Sequence, residues 1–192
     1  MPLMTGLWIA LAVIVLVLVL IVVWAIATYN RLVRLRNQVE SSWAQIDVQL
    51  KRRHSLIPNL VETVKGYAAH ERGTLEAVIN ARNAAVQVGG AGPAQQAEAE
   101  GVLTQMLGRL FALAEAYPNL KANENFIALQ AELGNTENKI AYARQFYNSS
   151  IQTLNSAAQS FPTNLIAGMA NVHPRPYFEA VGAERSDVNV RF

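Results

Sequence analysis

The side chains able to bind a metal or move a proton are few and scattered. Histidines stand at positions 54, 70 and 173. None has a second histidine at the spacing that sets two imidazoles on one helix face. His70 is followed by Glu71, but neighbours in a helix point about 100° apart and do not converge on one ion. The carboxylate pairs Glu98 with Glu100 and Glu132 with Glu137 have the composition of an acid–base couple, yet on helices such pairs usually face solvent or pair with arginines. The chain has no cysteine, which excludes thiolate catalysis and disulfides. Neither HExxH, GxSxG, a Walker A loop nor a dinucleotide fingerprint occurs, and the glycines of residues 89–92 lack the lysine of a phosphate loop. We therefore expect no catalytic residue, no metal site and no cofactor.

The remaining polar residues that draw notice lie on long helical patterns. Arg53 interrupts an apolar stripe where Leu or Ile is expected, and Glu137 and Arg144 fall beside another. Either these three sit at the stripe's edge and reach out to water, or they form a buried ion network that sets helix register, costly unless every partner is satisfied.

Charge is more informative in its distribution than in its sum. A net charge of +2 over 192 residues does not point to nucleic acid. Residues 1–28 carry no charged side chain, whereas residues 29–54 carry six bases (Arg31, Arg34, Arg36, Lys51, Arg52, Arg53) against two acids (Glu40, Asp47). Residues 7–26 are unbroken apolar sequence, about the twenty residues that cross a bilayer as a helix. Trp8 and Trp24 bracket that run, at the headgroup level that amphipathic rings prefer.

A signal peptide competes with this reading, because Ala25-Ile26-Ala27 has the small-x-small form of a cleavage site. It would need a basic leading region and an apolar stretch of roughly 7 to 15 residues. A buried core helix competes too, but an apolar circumference of this length fits lipid better. We read residues 1–28 as an uncleaved single-pass anchor in the lipid bilayer. The excess of arginine after the span places the short N-terminus outside and the remainder in the cytoplasm. Arg31, Arg34 and Arg36 lie at the interface, where each either gains about 1 kcal/mol from anionic lipid or serves only to stop transfer. Lys51, Arg52 and Arg53 lie about 35 Å along the helix, beyond screened reach of headgroups, and form a partner site or a solvated face.

Along the soluble part, Leu32, Val39, Trp43, Ile46, Leu50, Ile57, Leu60, Val64 and Tyr67 recur at spacings of three, four and seven. They predict that the membrane helix runs on through a kink at Pro58 to about Ala69. Gly73 and Thr74 suggest a stop and a cap for a second helix over 75–88. After the glycine-rich loop a third covers 94–117, with Leu103, Leu107, Leu110, Ala114 and Tyr117 on one face. A fourth covers 123–160, where Phe126, Leu133, Ile140, Tyr147, Leu154 and Phe161 repeat every seventh residue, flanked by Leu129, Ala143, Ile151 and Ala158. The expected fold is all-α: a transmembrane helix continuing into an antiparallel four-helix bundle of long helices over 29–161. Residues 162–192 read as an extended tail, either disordered or a strap docking Tyr177, Phe178 and Phe192.

The segments YNRLVRLRNQVESSWAQIDVQLKRRHSLIPNLVETVKGYAAHE, EAYPNLKANENFIALQAELGNTENKIAYARQFYN, FPTNLIA and PRPYFEA closely resemble the LemA family of bacterial membrane proteins, over residues 29–179. The resemblance implies an anchor followed by a helical bundle with an unusually long first helix. It implies no reaction, and it associates relatives with membrane proteases or with specialised membranes. The final AVGAERSDVNVRF departs from the pattern. The function expected is a non-catalytic scaffold or adaptor at the bacterial inner membrane, self-associating as a homo-oligomer. A membrane-shaping assembly, or an accessory subunit of a membrane protease, are the alternatives.

Overall fold

Stretches that keep a 3.6-residue apolar period fold as helices, and most breakers fall between them. The computed structural model describes residues 2–178, in the order α1 (Pro2–Lys65), α2 (Arg72–Gln87), α3 (Pro93–Ala114), α4 (Pro118–Lys121), α5 (Glu124–Gln159) and α6 (Asn164–Ala167). Helix is the only regular structure among the described residues.

The apolar segment and the helix that follows it are one element, because no residue between them breaks α1. Pro58 lies inside α1, which ends at Lys65 rather than near Ala69. Proline has no N–H, so the carbonyl of His54 loses its helical donor. Arg82 of α2 supplies the replacement, its Nε donating to that carbonyl over 3.2 Å.

The boundaries differ from expectation where a cap was misread. Gly73 and Thr74 lie within α2 instead of preceding it. The loop before α3 needs two glycines with φ of 93° and 118°, Gly90 and Gly92, a region that side chains rarely enter. Pro93 then starts the helix where its missing N–H costs nothing. At the head of α5, Asn123 Oδ1 accepts the N–H of Phe126 at 3.0 Å, a side-chain cap. Within the segment expected to be extended, residues 164–167 form the single turn α6.

The chain divides into two compact units. One gathers the described part of 1–41 with 149–175. Its buried residues include Leu32 and Val39 of α1, Ile151, Leu154 and Ala158 of α5, and Ala167, Ala170 and Val172 beyond it. The other gathers 42–148 with the described part of 176–192. Its core joins Ile57, Leu60 and Val64 to Leu75 and Val78, to Leu103, Leu107 and Leu110, and to Leu120, Phe126 and Leu133. Each such side chain contributes roughly 1.5–3 kcal/mol when fully buried.

The stripe positions are buried or half-buried, with two exceptions. Tyr67 is 44% exposed, and its hydroxyl accepts a hydrogen bond from Asn123 Nδ2. Phe161, the next member of the seven-residue column, is 80% exposed. It lies past the end of α5 at Gln159, so the helical phase no longer directs it inward. Tyr117 is half-buried and donates its hydroxyl to Glu71 over 3.2 Å. Partial burial, then the charge of Glu71 and this bond, hold its phenol above the ordinary value.

Candidate functional site

A cluster of polar side chains in the second unit is the strongest candidate, and it begins with a break in pattern. Leu32, Val39, Ile46 and Leu60 of α1 are spaced by sevens and buried, with Arg53 at the vacant place in the series. Its phase carries Arg53 inward, and it is 3% exposed. Two carboxylates meet it. Its Nη1 donates to Glu100 Oε2 of α3 over 2.9 Å, and its Nε lies 2.8 Å from Glu137 Oε1 of α5, an ion pair not aligned as a hydrogen bond. Nη2 donates to Thr104 Oγ1 at 2.7 Å.

Glu100, 6% exposed, is the hub. Its Oε1 lies 2.8 Å from His54 Nε2 and accepts from Gln96 Nε2 at 2.8 Å. Gln96 Nε2 also donates to the carbonyl of Ala85 on α2, and Thr104 donates to the backbone carbonyl of Glu100. Side chains from α1, α3 and α5 and a backbone group of α2 are thereby tied at one level. Removing charge from water is costly, and these contacts offset the cost only in one register. The arrangement locks helices together, because its buried groups bond to one another. A cleft of about 380 Å³ beside Arg53, walled by Leu107, Phe111 and Leu133, reaches Glu137 and leaves its carboxylate partly exposed.

Of the residues named from sequence, Arg53 and Glu137 are thus brought together. Arg144 lies two turns further along α5, its guanidinium 5.2 Å from the ring centre of Phe178. Lys51 and Arg52 are engaged within the chain, Lys51 with Asp47 at 2.6 Å and Arg52 with Glu132 at 2.8 Å. Trp8 is 65% and Trp24 38% exposed, and Arg31 and Arg34 are exposed. Arg36 is turned inward, its Nη1 3.5 Å from the carbonyl of Ala170 and its Nε 3.9 Å from Glu40.

Sequence reasoning missed His54, Gln96 and Glu100 as one cluster, and it missed two asparagines on α5. Asn148 bonds both the N–H and the C=O of Phe178, at 3.0 and 3.1 Å. Asn155 does the same to Arg175, at 3.0 and 3.1 Å. The signal was present: two asparagines seven residues apart, each next to a core position. Phe178 itself is 2% exposed, its ring 5.5 Å from that of Trp43. Tyr177, expected to dock beside it, is 40% exposed, and Phe192 lies outside the described residues.

Residues 42–192 match the sequence model of the LemA family. The chain belongs to the LemA family. Among curated relatives, magnetosome protein MamQ of Magnetospirillum gryphiswaldense is 25% identical, the match covering 78% of this chain and 64% of that protein. Magnetosome protein MamQ 2 of Paramagnetospirillum magneticum is 26% identical with 79% and 64% covered, and protein LemA of Metamycoplasma hominis is 26% identical with 83% and 73% covered. The chain thus spans 64% of the length of the MamQ relatives. The family match includes every member of the Arg53–Glu100 cluster and both pinning asparagines. It begins after the apolar part of α1, which is long and apolar enough to cross a membrane.

Proposed function

We propose that this LemA-family chain is a non-catalytic scaffold or adaptor of the bacterial inner membrane, anchored by residues 7–26 and self-associating. In this reading its second unit is an antiparallel four-helix bundle on the cytoplasmic side, with a short N-terminus outside. The observation that carries it is the unburied apolar run in the same helix that supplies Ile57, Leu60 and Val64 to a protein core. A helix that needs lipid at one end and protein at the other is a tether. The buried polar cluster supports the same reading, since Arg53, His54, Gln96 and Glu100 are directed at each other. A scaffold held at a membrane loses less freedom on docking, so modest contacts suffice.

Cross-linking in native membranes, followed by affinity purification and quantitative identification of what accompanies the chain, tests this. Homo-oligomers and a small set of enriched membrane proteins, a protease among the candidates, are expected. Monomers with no enriched companion would end the proposal. A reporter fused to the C-terminus tests orientation.

Membrane shaping is a second reading, favoured by relatives that are named magnetosome proteins. It calls for large particles in mild detergent and altered bilayers on overexpression. Loss of phenotype after a single Glu137 or Arg144 substitution, with the melting temperature unchanged, would instead support an enzyme.

A further inference from the structure

In the first unit the turn after α5 is built inside out for a soluble protein. Its small residues Ala167 and Ala170 face inward and are buried, while Phe161, Leu165 and Met169 are 80%, 66% and 76% exposed. These three follow each other at intervals of four, and large apolar side chains grouped in this way mark a contact surface. The same unit fixes where the turn lies. Asn155 holds Arg175, and Arg175 pairs with Glu40 at 3.1 Å. Further on, the carbonyl of Ala170 meets Arg36. Residues 161–169 fall between Asn155, held at the level of Glu40, and Ala170, held at Arg36, so this stretch runs toward the apolar end of α1 and ends beside a residue about 15 Å beyond Ile26. Exposed Arg31 and Arg34 stand on that stretch of α1, placed to meet anionic headgroups.

We infer that residues 161–169 are a second membrane contact, with Phe161, Leu165 and Met169 seated at the boundary between headgroups and acyl chains. Interfacial segments bury their apolar side about 5–10 Å into that boundary. The occupant is lipid rather than protein, because the exposed bases Arg31 and Arg34 stand on α1 between its apolar part and the Arg36 contact, and they complement an anionic surface. The inference rests on residues 7–26 crossing a bilayer.

The chain has no cysteine, so single cysteines can be labelled without background. The full chain carrying L165C or M169C, L16C in the apolar segment, or Y142C on the exposed side of α5, is reconstituted into vesicles of phosphatidylcholine and phosphatidylglycerol with an environment-sensitive dye on each. Labels at 165 and 169 are expected to shift to the blue, to lose quenching by iodide, and to be quenched by lipids bearing a spin label near the headgroup. The label at 16 answers to a spin label deep in the acyl region, and the label at 142 stays in water. A label at 165 open to iodide while that at 16 lies deep overturns the second contact and leaves the span standing. A label at 16 in water removes both. A label at 165 shifted but unquenched by lipid assigns the patch to another protein copy, and shielding at 142 equal to that at 165 shows general coverage; either result overturns the inference.

Discussion

Two parts of α1 have the same backbone and opposite surroundings. Over residues 7–23 the apolar side chains point all round the helix and are exposed. Over residues 46–64 the buried apolar side chains lie on one side, at Ile46, Leu50, Ile57, Leu60 and Val64, while Lys51, Arg52, Glu62 and the exposed Val48 take the other. A stripe can be covered by neighbouring helices, whereas a full circumference needs a different solvent. The covered part tolerates one charge in its stripe, Arg53, because Glu100, Thr104 and Glu137 surround it. The uncovered part contains none.

The largest effect should come from giving the uncovered part a charge. Leu16→Lys with Leu20→Lys costs about 3 kcal/mol per lysine at the centre of a membrane helix, so the protein should leave the carbonate-washed membrane pellet. If that part lies in water, the pair changes partition and stability little, and the contrast within α1 collapses.

The covered part is tested at its charge. Glu100→Ala leaves Arg53 with one carboxylate and strips a partner from His54 and Gln96. It should lower stability by about 3–5 kcal/mol in chemical denaturation of the detergent-solubilised protein. R53M with E100M should recover much of that loss, since removing both partners leaves no lone buried charge. Phe178→Ala should cost about 3 kcal/mol by emptying the space beside Trp43. A smaller value would show that Asn148 alone pins the strap.

Two lesser effects sharpen the picture of how the second unit is held. Arg82→Met should cost about 1 kcal/mol by leaving the His54 carbonyl without a donor. In a Pro58→Ala background the cost should vanish, because alanine restores the N–H that the helix lacks at that position. Tyr117→Phe should lower the melting temperature slightly at neutral pH. The phenol's pKa is higher folded than unfolded, so its contribution is present below about pH 10 and fades as pH rises past it. The gap between wild type and variant should close in alkaline buffer.

Much of the helical framework was legible from the chain. The phases of α1, α3 and α5 follow from apolar spacing, and Leu103, Leu107, Leu110, Phe126, Leu133 and Ile140 are buried as that spacing requires. The reading failed where a helix ended. Phe161 keeps the seven-residue interval but lies beyond Gln159, and a period has no force outside a helix. The Gly73-Thr74 pair looked like punctuation, yet it lies inside α2. The candidate cluster was legible only as an anomaly at Arg53. Glu100, unlike Glu98, stands three and seven residues before Leu103 and Leu107 and so shares their inward face; what no single segment shows is which partners it meets there.

The sequence alone determined the all-helical class, the bilayer-length apolar run and the inward face of each long helix, since composition and period act over a few turns of one segment. Tertiary structure decided which donor reaches the carbonyl left by Pro58, which carboxylates surround Arg53 and where Phe178 sits. Those outcomes depend on which segments, remote along the chain, come to lie side by side, and the penalty for leaving a buried polar group unmatched is what selects among them.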